Sequence, residues 1–277
     1  MISIITAIHN GLAFNKIYME YLNKYTYNQF ELIIIDNCSN DGSTDFFKNS
    51  GAVVIENKVN YSYPVCQNQG IRIAKGEYLF FLNNDIILSP EWDKKLIEIA
   101  KQHQIDIISA SGVENMGSAK ATQTISRKWK RTKNPLSVFG FSGFNLRLMH
   151  KLMYGNWERF CNKLFNKYKH QVVEGIVGNN VMMTKRAIAI VGEWDERLQM
   201  ADFDLFMRTK KRYLEQHDIK PCHIAMGVYI HHFVRMTIKY AVKPIPFADK
   251  NNIIPLQGKW SAEEIENLHP DNETLRK

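Results

Sequence analysis

Apolar and polar positions alternate in blocks over the first 110 residues of the chain. Continuous apolar runs predict buried strands at residues 2–8, 31–36, 52–56, 78–82 and 105–110. Between the runs, apolar residues recur every three or four positions at residues 13–25, which predicts an amphipathic helix, and further helices are predicted at residues 44–49, 64–75 and 91–102. Strands that alternate with helices indicate an α/β fold, with a mostly parallel sheet covered by helices on both faces.

Glycine and proline mark the expected ends of two of these helices. Gly76 follows the helix predicted at 64–75 and is expected to be its C-cap. Pro90 is expected at the first position of the helix predicted at 91–102, where its missing amide hydrogen costs nothing.

The pattern changes at residue 114. Residues 114–172 are polar and basic with interleaved aromatic side chains, and they include a cluster formed by Arg127, Lys128, Lys130 and Arg131. This cluster is typical of a mobile, solvated loop, but also of a surface for an acidic acceptor or a membrane. Single-stranded nucleic acid is a weaker alternative, because no recognised nucleic-acid module accompanies the aromatic residues. Regular pattern then returns, with helices predicted at 185–191, 203–214 and 261–268 and a strand at 223–230.

Polar residues follow the predicted strands at positions where ligands bind. Asp36 ends the second strand, and Asn83, Asn84 and Asp85 follow the fourth. Ligands of open α/β sheets bind at the carboxyl ends of the strands. Carboxylate oxygens also suit a hard divalent cation that is held partly by substrate phosphates. The competing interpretation is structural, since such residues also form turns and cap helices.

Composition narrows the class of protein. A hydrophobic fraction of 45% and a charged fraction of 23% are ordinary for a soluble globular chain. The four cysteines are scattered without a CxxC pair, which argues against a zinc site and favours a reducing, cytoplasmic location. The opening MISIITAIHNG is interpreted as a first strand and not as a signal peptide. The formal net charge of +8 indicates an anionic partner or surface.

Several segments occur in an order that is similar to a known enzyme class. They are SIITAIHN, ELIIIDNCSNDGSTD, LNNDIILSPEW, GNNVMMTKRAIAIVGEWDERL and ADFDLFMR, followed by a histidine pair. The chain resembles the inverting nucleotide-sugar glycosyltransferases of family 2, in a rhamnosyltransferase-like branch, over roughly residues 1–235. The resemblance implies the GT-A fold, which has a mostly parallel Rossmann-like central sheet, a variable acceptor region and a C-terminal extension.

The resemblance implies three parts of the chain. Residues 1–113 would form the half that binds the nucleotide sugar, and residues 114–242 the acceptor and catalytic half of the same domain. Residues 243–277 would be the C-terminal extension. Residues 114–172 and this extension are expected to set the choice of acceptor, because loops vary with function on a fixed scaffold.

Site roles are implied residue by residue. The nucleotide would be bound by residues at the strand ends, in the following turn and on one helix: Thr6, Ala7, Asn10, Asp36, Asp41, Asn68, Asn83 and Asn84. Asp85 would bind Mn²⁺ or Mg²⁺, and one of His231 and His232 would complete the metal shell, with His232 favoured. Asp202 would be the general base. Trp194, Asp195 and Asp204 are expected on the acceptor side, and Asp204 is the next candidate for the base.

The implied activity is metal-dependent transfer of a sugar from a UDP- or dTDP-sugar to a hydroxyl of a saccharide, glycoconjugate or lipid-linked acceptor. Two departures from the family pattern, the amides at Asn83 and Asn84 and Ala201 in place of a glutamate, keep a second hypothesis open. This is a degenerate module that binds a nucleotide or glycan without turnover. A nucleotidyltransferase is a third hypothesis, which lacks the glycine-rich basic loop that it would need after the first strand. A cytoplasmic protein is expected, with a possible peripheral contact at the inner face of the membrane and no nucleic-acid partner.

Overall fold

The computed structural model describes residues 1–234, 236 and 246–269. Residues 243–245 and 270–277 of the predicted C-terminal extension lie outside this part of the chain. The strands are β1 Ile2–Ile8, β2 Phe30–Asn37, β3 Val53–Asn57, β4 Tyr78–Leu82, β5 Ile86–Ile87, β6 Ile107–Ser111, β7 Val172–Glu174, β8 Asn180–Thr184, β9 His223–Tyr229 and β10 His231–His232.

Helices cover the connections between these strands. They are α1 Leu12–Tyr25, α2 Ser43–Asn49, α3 Tyr63–Ile71, α4 Trp92–His103, α5 Ala119–Leu136, α6 Gly143–Tyr154, α7 Trp157–Tyr168, α8 Lys185–Val191, α9 Ala201–Gln216 and α10 Ala262–Leu268. Within the described residues, none of the helices has the length and apolar character needed to cross a membrane.

One eight-stranded sheet lies at the centre, in the order β3-β2-β1-β4-β8-β6-β9-β7. The strands β1 to β4 run parallel, and β6 runs parallel to β9. Only β8 and β7 run antiparallel to their neighbours in this sheet. The predicted α/β fold with a mostly parallel sheet is therefore confirmed, and the carboxyl ends of β1, β2 and β4 share one edge.

Alternating side chains of the same strands build a core on each face of the sheet. On β1, Ile4 packs into the cluster under α1 and α4, while Ile5 packs into the cluster under α3 and α9. A side-chain period of two on buried strands produces this division, because both faces are covered.

The helix predicted at 64–75 ends four residues early, and Gly76 is not its C-cap. A Cβ atom on Gly76 would lie 2.5 Å from the amide nitrogen of Ser3, so only glycine fits at this approach to β1. The Gly76 amide donates a hydrogen bond of 2.7 Å to Ser3 Oγ. The role of this glycine is thus the close approach of two backbones.

The position expected for Pro90 is also wrong. Helix α4 begins at Trp92, and Glu91 in front of it has a left-handed backbone with φ of 56°. The Glu91 amide donates to the carbonyl of Tyr25 at 3.0 Å, which fixes the chain before the helix begins. Pro90 therefore lies in the preceding turn.

The basic section 114–172 is not a loop. It forms α5, α6 and α7, which pack their aromatic side chains beneath β9 and β10. Trp129, only 2% exposed, is the buried residue of α5, and its ring lies 4.6 Å from that of His231. A single tryptophan thus anchors a long polar helix.

The burial of His150 is expected to make the stability of the fold dependent on pH. Its ring is buried against Trp157 at 4.6 Å, and burial lowers its pKa from 6.5 to about 3. His150 is therefore protonated below about pH 6.5 in the unfolded chain but only below about pH 3 in the folded chain. For each unit by which the pH is lowered within this window, the free energy of unfolding should fall by about 1.4 kcal/mol because of His150.

His150→Gln should remove this contribution. Denaturant unfolding at about pH 7 and about pH 5 measures the difference for each protein, and the variant should lose less stability between the two. Comparing each protein with itself cancels any loss of packing in the variant. Equal pH dependence in both proteins would show that His150 does not carry the effect.

Candidate active site

The loops after β1 and β2 are tied together at the carboxyl edge of the sheet. Asn10 and Gly11 both have left-handed backbones, with φ of 58° and 84°. The Asn10 amide donates to Ser39 Oγ at 2.7 Å, and its side-chain oxygen accepts from the Asn40 amide at 2.8 Å. The predicted nucleotide residue Asn10 thus lies on a loop that is held in one conformation.

Asp36 and Asp41 hold the turn between them. Asp36 is buried and accepts hydrogen bonds from the Ser39 amide at 3.0 Å and from the Thr44 hydroxyl. Asp41 accepts from the Leu12 amide at 2.8 Å and from the Ser43 hydroxyl at 2.5 Å. Although partial burial acts in the opposite direction, these hydrogen bonds lower the pKa of Asp41. Both carboxylates therefore shape the loop, and their nucleotide contacts stay predictions.

Three predicted site residues face the core of the protein. Thr6 is buried and its hydroxyl is hydrogen-bonded to that of Tyr18 at 2.8 Å. Asn68 is buried and holds the backbone of Trp194, donating to its carbonyl at 2.9 Å and accepting from its amide at 3.0 Å. The Trp194 ring is 3% exposed and packs edge-on against Phe81 at 5.2 Å. The structure does not bring these side chains to an open surface for a nucleotide or an acceptor; Ala7, beside Thr6, is partly exposed.

The polar turn after β4 is held on two sides. The Asn83 amide donates to the Asn179 carbonyl at 3.0 Å, which extends the pairing of β4 with β8. Asn84 donates to the side-chain oxygen of Asn15 on α1 at 2.6 Å. This turn then leads into β5, which pairs with β10 so that His232 lies opposite Ile86. The pairing brings Asp85 next to His232.

His232 lies between two carboxylates. Its Nε2 is 3.1 Å from Asp85 Oδ1, and its Nδ1 contacts the carboxylate of Glu114. Although burial opposes protonation, the charges of Asp85 and Glu114 raise the pKa of His232 to about 10. Glu114 was not predicted. Glu114 lies shortly after β6, and its place at the end of a strand could have marked it as a candidate site residue. Nothing in the sequence indicates its contact with His232, which lies 118 positions later in the chain.

His231 is oriented away from this pair. It is fully buried, and its Nδ1 is hydrogen-bonded to the hydroxyl of Tyr154 at 2.9 Å. Burial lowers its pKa well below the ordinary value of 6.5. Successive residues of a strand point to opposite faces, so one histidine of the pair faces Asp85 and the other faces the aromatic core. The predicted metal role of His231 has no support from its placement.

Asp202 lies in the first turn of α9, against the backbone of Gly178. A Cβ atom on Gly178 would lie 2.8 Å from the carboxyl carbon of Asp202. Gly178 is followed directly by Asn179, whose side chain reaches His232 at 3.4 Å. Asp202 is therefore on the same edge of the sheet as the Asp85–His232 pair.

Gly178→Ala should reduce turnover by displacing the Asp202 carboxylate. The three atoms nearest to the added methyl group all belong to Asp202, so we expect at least about a tenfold loss of kcat with little change in melting temperature. Steady-state kinetics and thermal unfolding measure the two quantities. In an Asp202→Asn background the same change should cost little more, since interacting sites are not additive. Full additivity would show that Gly178 acts independently of Asp202.

Asp204 belongs to a buried ion-pair network and not to an open surface. It is fully buried and contacts Arg208 at 2.8 Å and Lys259 at 2.6 Å. The Trp260 indole also donates to it at 2.9 Å. This placement gives Asp204 a structural role in holding α9, and it does not support the alternative assignment of Asp204 as the base.

Asp195 is joined to the same network. Hydrogen bonds from Arg197 hold its pKa well below the ordinary value, against the effect of partial burial and with further support from Lys259. Lys259 lies 2.8 Å from Asp195 and thus bridges the two acidic residues. No signal in the sequence pairs Lys259 with them, because the contacts join distant parts of the chain.

The C-terminal segment, residues 246–259, crosses the edge of the site. The Ala248 amide donates to the Asn60 carbonyl at 2.7 Å, and Asp249 accepts from the Ser62 amide at 3.0 Å and hydroxyl at 2.5 Å. Further along, Ile254 donates to the Arg197 carbonyl at 2.8 Å. The segment therefore holds both the loop before α3 and the approach to α9.

Comparison with known proteins identifies the class. The family described as Glycosyl transferase family 2 matches residues 3–189 of the chain. The chain belongs to glycosyl transferase family 2. The prediction of this family is confirmed, while its rhamnosyltransferase-like branch stays a prediction.

Relatives of the family 2 chain include an uncharacterized glycosyltransferase of Haemophilus influenzae, 30% identical over 159 residues, which are 56% of this chain and 54% of that protein. The poly(ribitol-phosphate) beta-N-acetylglucosaminyltransferase TarP of Staphylococcus aureus is 32% identical over 123 residues, 41% of this chain and 37% of TarP. The chain thus spans about half the length, or less, of the curated relatives that it matches.

Solved structures share the fold of the family 2 chain. The mannosyltransferase PcManGT from Pyrobaculum calidifontis, in complex with GDP-Man and Mn²⁺, gives a TM-score of 0.50 at 11% identity over 81% of this chain and 56% of that chain. S. aureus TarS 1–349, in complex with UDP, gives 0.51 at 15% identity over 86% and 62%. These likenesses support the predicted GT-A fold.

Proposed function

We propose that this chain transfers a hexosyl or deoxyhexosyl group from a UDP- or dTDP-sugar to a hydroxyl of a saccharide or glycoconjugate acceptor, with inversion at the anomeric carbon. One observation carries the proposal. The Asp202 carboxylate lies against Gly178 and the Asp85–His232 pair lies beside the next residue, Asn179, at the carboxyl edge of the sheet. The family and the nucleotide and nucleotide-sugar complexes of two neighbours of this fold support it.

The residues present fit a divalent cation that is shared with the donor. Among the described residues, no group of three or more His, Cys, Asp and Glu side chains converges to hold an ion. Asp85 and His232 offer an oxygen and a nitrogen 3.1 Å apart, and the cation would take the place of the imidazolium proton that the two neighbouring carboxylates stabilise. Mg²⁺ and Mn²⁺ sites of this kind take one or two protein ligands and complete the shell with substrate phosphates. A bound cation supplies positive charge that stabilises the departing diphosphate.

Asp202 is proposed to accept the proton of the acceptor hydroxyl at a carboxylate oxygen as that hydroxyl attacks the anomeric carbon. The bond to the diphosphate breaks on the opposite side of that carbon, which inverts it. A positioned base of this kind contributes typically about 10²–10⁴-fold. The first turn of α9 favours the ionised carboxylate, because the helix N-terminus carries partial positive charge.

The loop 38–42 is proposed to receive the nucleotide, with Asp36 accepting a hydrogen bond from its base. The rigid hydrogen bonding of Asn10, Asp36 and Asp41 supports this, because a preformed loop loses little entropy on binding. Residues 1–113 would then form the donor half, residues 114–242 the acceptor half and residues 243–277 the extension.

A donor screen tests the proposed function directly. Purified protein is incubated with Mn²⁺, a panel of nucleotide sugars and simple saccharide acceptors, and release of nucleoside diphosphate is measured. Glycosyl transfer is supported if nucleoside diphosphate is released from one donor only and if the release becomes faster when an acceptor is added. Saturable donor binding with neither transfer nor donor hydrolysis would support the degenerate binding module instead.

A further inference from the structure

The net charge of the chain is concentrated in one segment. Residues 115–157 contain eight lysines and arginines and no aspartate or glutamate. The whole chain has 36 basic and 28 acidic side chains, so the remainder is formally neutral with 28 of each. The charge of +8 is therefore a local feature of the α5–α6 region and not a general property of the surface.

Helix α5 presents this charge to solvent. Trp129 anchors one side of the helix in the core, and the basic side chains around it, Arg127, Lys128, Lys130 and Arg131, are exposed. None of these four basic residues takes part in the transfer chemistry proposed above. Their charge therefore indicates an anionic partner that is not part of this chain.

Large apolar side chains are exposed at the end of the same helix. Val138 is 82% exposed, Phe139 76% and Phe144 77%, in the turn between α5 and α6 and at the start of α6. These are the three most exposed large hydrophobic residues among those described. We call these three residues together with Arg127, Lys128, Lys130 and Arg131 the basic–aromatic corner.

The backbone of the corner is fixed. The Asn145 side chain donates to the carbonyls of Leu136 at 2.8 Å and Gly140 at 2.6 Å, which closes the turn between the helices. Ser142 caps α6 by accepting from the Asn145 amide at 3.3 Å. An ordered turn therefore holds the phenylalanines in solvent. Exposure of their apolar surface to water is unfavourable, and burial of that surface against a partner would be favourable.

We infer that the basic–aromatic corner docks on the surface of an anionic lipid bilayer. Lysine and arginine near such a surface are attracted by its negative potential, and adjacent aromatic and aliphatic side chains enter the boundary between head groups and acyl chains. An acidic polymer in water matches the charge but leaves Val138 and the phenylalanines exposed. A neutral apolar partner matches those side chains but not the charge. A bilayer with anionic lipid matches both.

The corner is next to the proposed donor site. A cleft of about 390 Å³ lies beside α1 and is lined by Asp41 of the donor loop and by Gly143 at the start of α6. Lys16 adds positive charge to its wall, whereas Arg147 forms an ion pair with Glu20. An amphiphilic acceptor held at the bilayer would reach the site through this cleft. That step rests on the proposed function, whereas the docking itself does not.

Vesicle binding tests the inference without any substrate. Sedimentation is measured with vesicles of phosphatidylcholine alone and with vesicles in which about one third of the lipid is phosphatidylglycerol. The wild-type chain should bind the anionic vesicles, and binding should weaken as salt is added. Lys128→Ser/Lys130→Ser/Arg131→Ser should reduce the partition coefficient by about 10²-fold. Phe139→Ser/Phe144→Ser should reduce it by at least about tenfold, and the salt dependence should remain.

A matched variant controls for total charge. Lys58, Lys101 and Lys185 are exposed and lie outside residues 115–157, so replacing these three by serine removes the same charge from other surfaces. This control should bind anionic vesicles within about twofold of wild type. Thermal unfolding of every variant checks that the fold is retained.

Three results would overturn the inference. They are equal loss of binding in the control and corner variants, equal binding to neutral and anionic vesicles, and binding to single-stranded RNA with none to vesicles. Because the assay needs neither donor nor turnover, failure of docking and failure of the proposed transfer are seen separately.

Discussion

Asp85→Asn is expected to lose at least about 10³-fold in turnover while the protein remains folded. The substitution keeps the shape of the side chain beside His232, but it removes the one carboxylate that the polar turn after β4 places there. A neutral amide is a poor ligand for a hard cation, so charge on the departing diphosphate is left without compensation. Initial rates of nucleoside diphosphate release and calorimetric donor binding, each with and without Mn²⁺, measure the effect.

Glu114→Gln is the matched control, because it removes the same charge from the other side of His232. It should lose much less activity and retain metal-dependent donor binding. If Glu114→Gln is as inactive as Asp85→Asn, the loss of activity comes from a change in the charge of His232 and not from the loss of a metal ligand at Asp85. Full activity of Asp85→Asn, or of the wild type in excess chelator, would remove the metal from the mechanism.

Asp202→Asn should lower kcat by at least about 10²-fold with donor affinity little changed. The amide keeps the size of the side chain and its place against Gly178, but it cannot accept a proton. An interaction required only in the transition state affects kcat and not binding of the donor. Steady-state kinetics with varied acceptor, together with donor binding by calorimetry, separate the two.

Asp204→Asn provides the contrast within the same helix. It leaves Arg208 and Lys259 without their buried carboxylate, and breaking a buried pair of this kind typically costs about 3–5 kcal/mol of stability. We therefore expect a clear fall in melting temperature for Asp204→Asn and little change for Asp202→Asn. An inactive but stable Asp204 variant beside an active Asp202 variant would mean that the base has been assigned to the wrong carboxylate.

The strands of the donor half were predictable because their information is local. β1 and β4 occupy the residues that their apolar runs predicted, since a strand buried on both faces must be apolar throughout and the polarity changes where it leaves the core. The mostly parallel order followed from the alternation with helices. The role of Gly76 was not predictable in this way, because this glycine is required by contact with β1, more than seventy positions earlier.

The layer of α5, α6 and α7 was missed for a related reason. The sequence of α5 is almost entirely polar, and its single buried residue Trp129 packs on the rings of His231 and Phe233, about one hundred positions later. A helix with one fully buried side chain, whose partners are distant in the chain, shows little of the apolar periodicity by which a helix is predicted. A polar, basic stretch of this composition is therefore easily interpreted as a loop.

The residues of the candidate site also differ in whether local sequence motifs predict them. The positions of Asp85, His232 and Asp202 at one edge follow from motifs that the sequence displays. Glu114, Gly178 and Lys259 were not predicted, because each acquires its role from a partner far away in the chain. Thr6, Asn68 and Trp194 lie close to the predicted places, but their side chains turn inward, and a strand or helix position alone does not give that direction.

Residues 248–259 join the two halves of the site by a single length of backbone. One end is bonded to the loop at Asn60 and Ser62 before α3, and the other holds Asp204 through Lys259. If donor binding orders that loop, the segment connects the loop to the helix that carries Asp202. By thermodynamic linkage, donor and acceptor affinities coupled in this way must change each other by the same factor. We therefore expect coupled binding of the two substrates, with the segment from Ala248 to Lys259 as the connection between their sites.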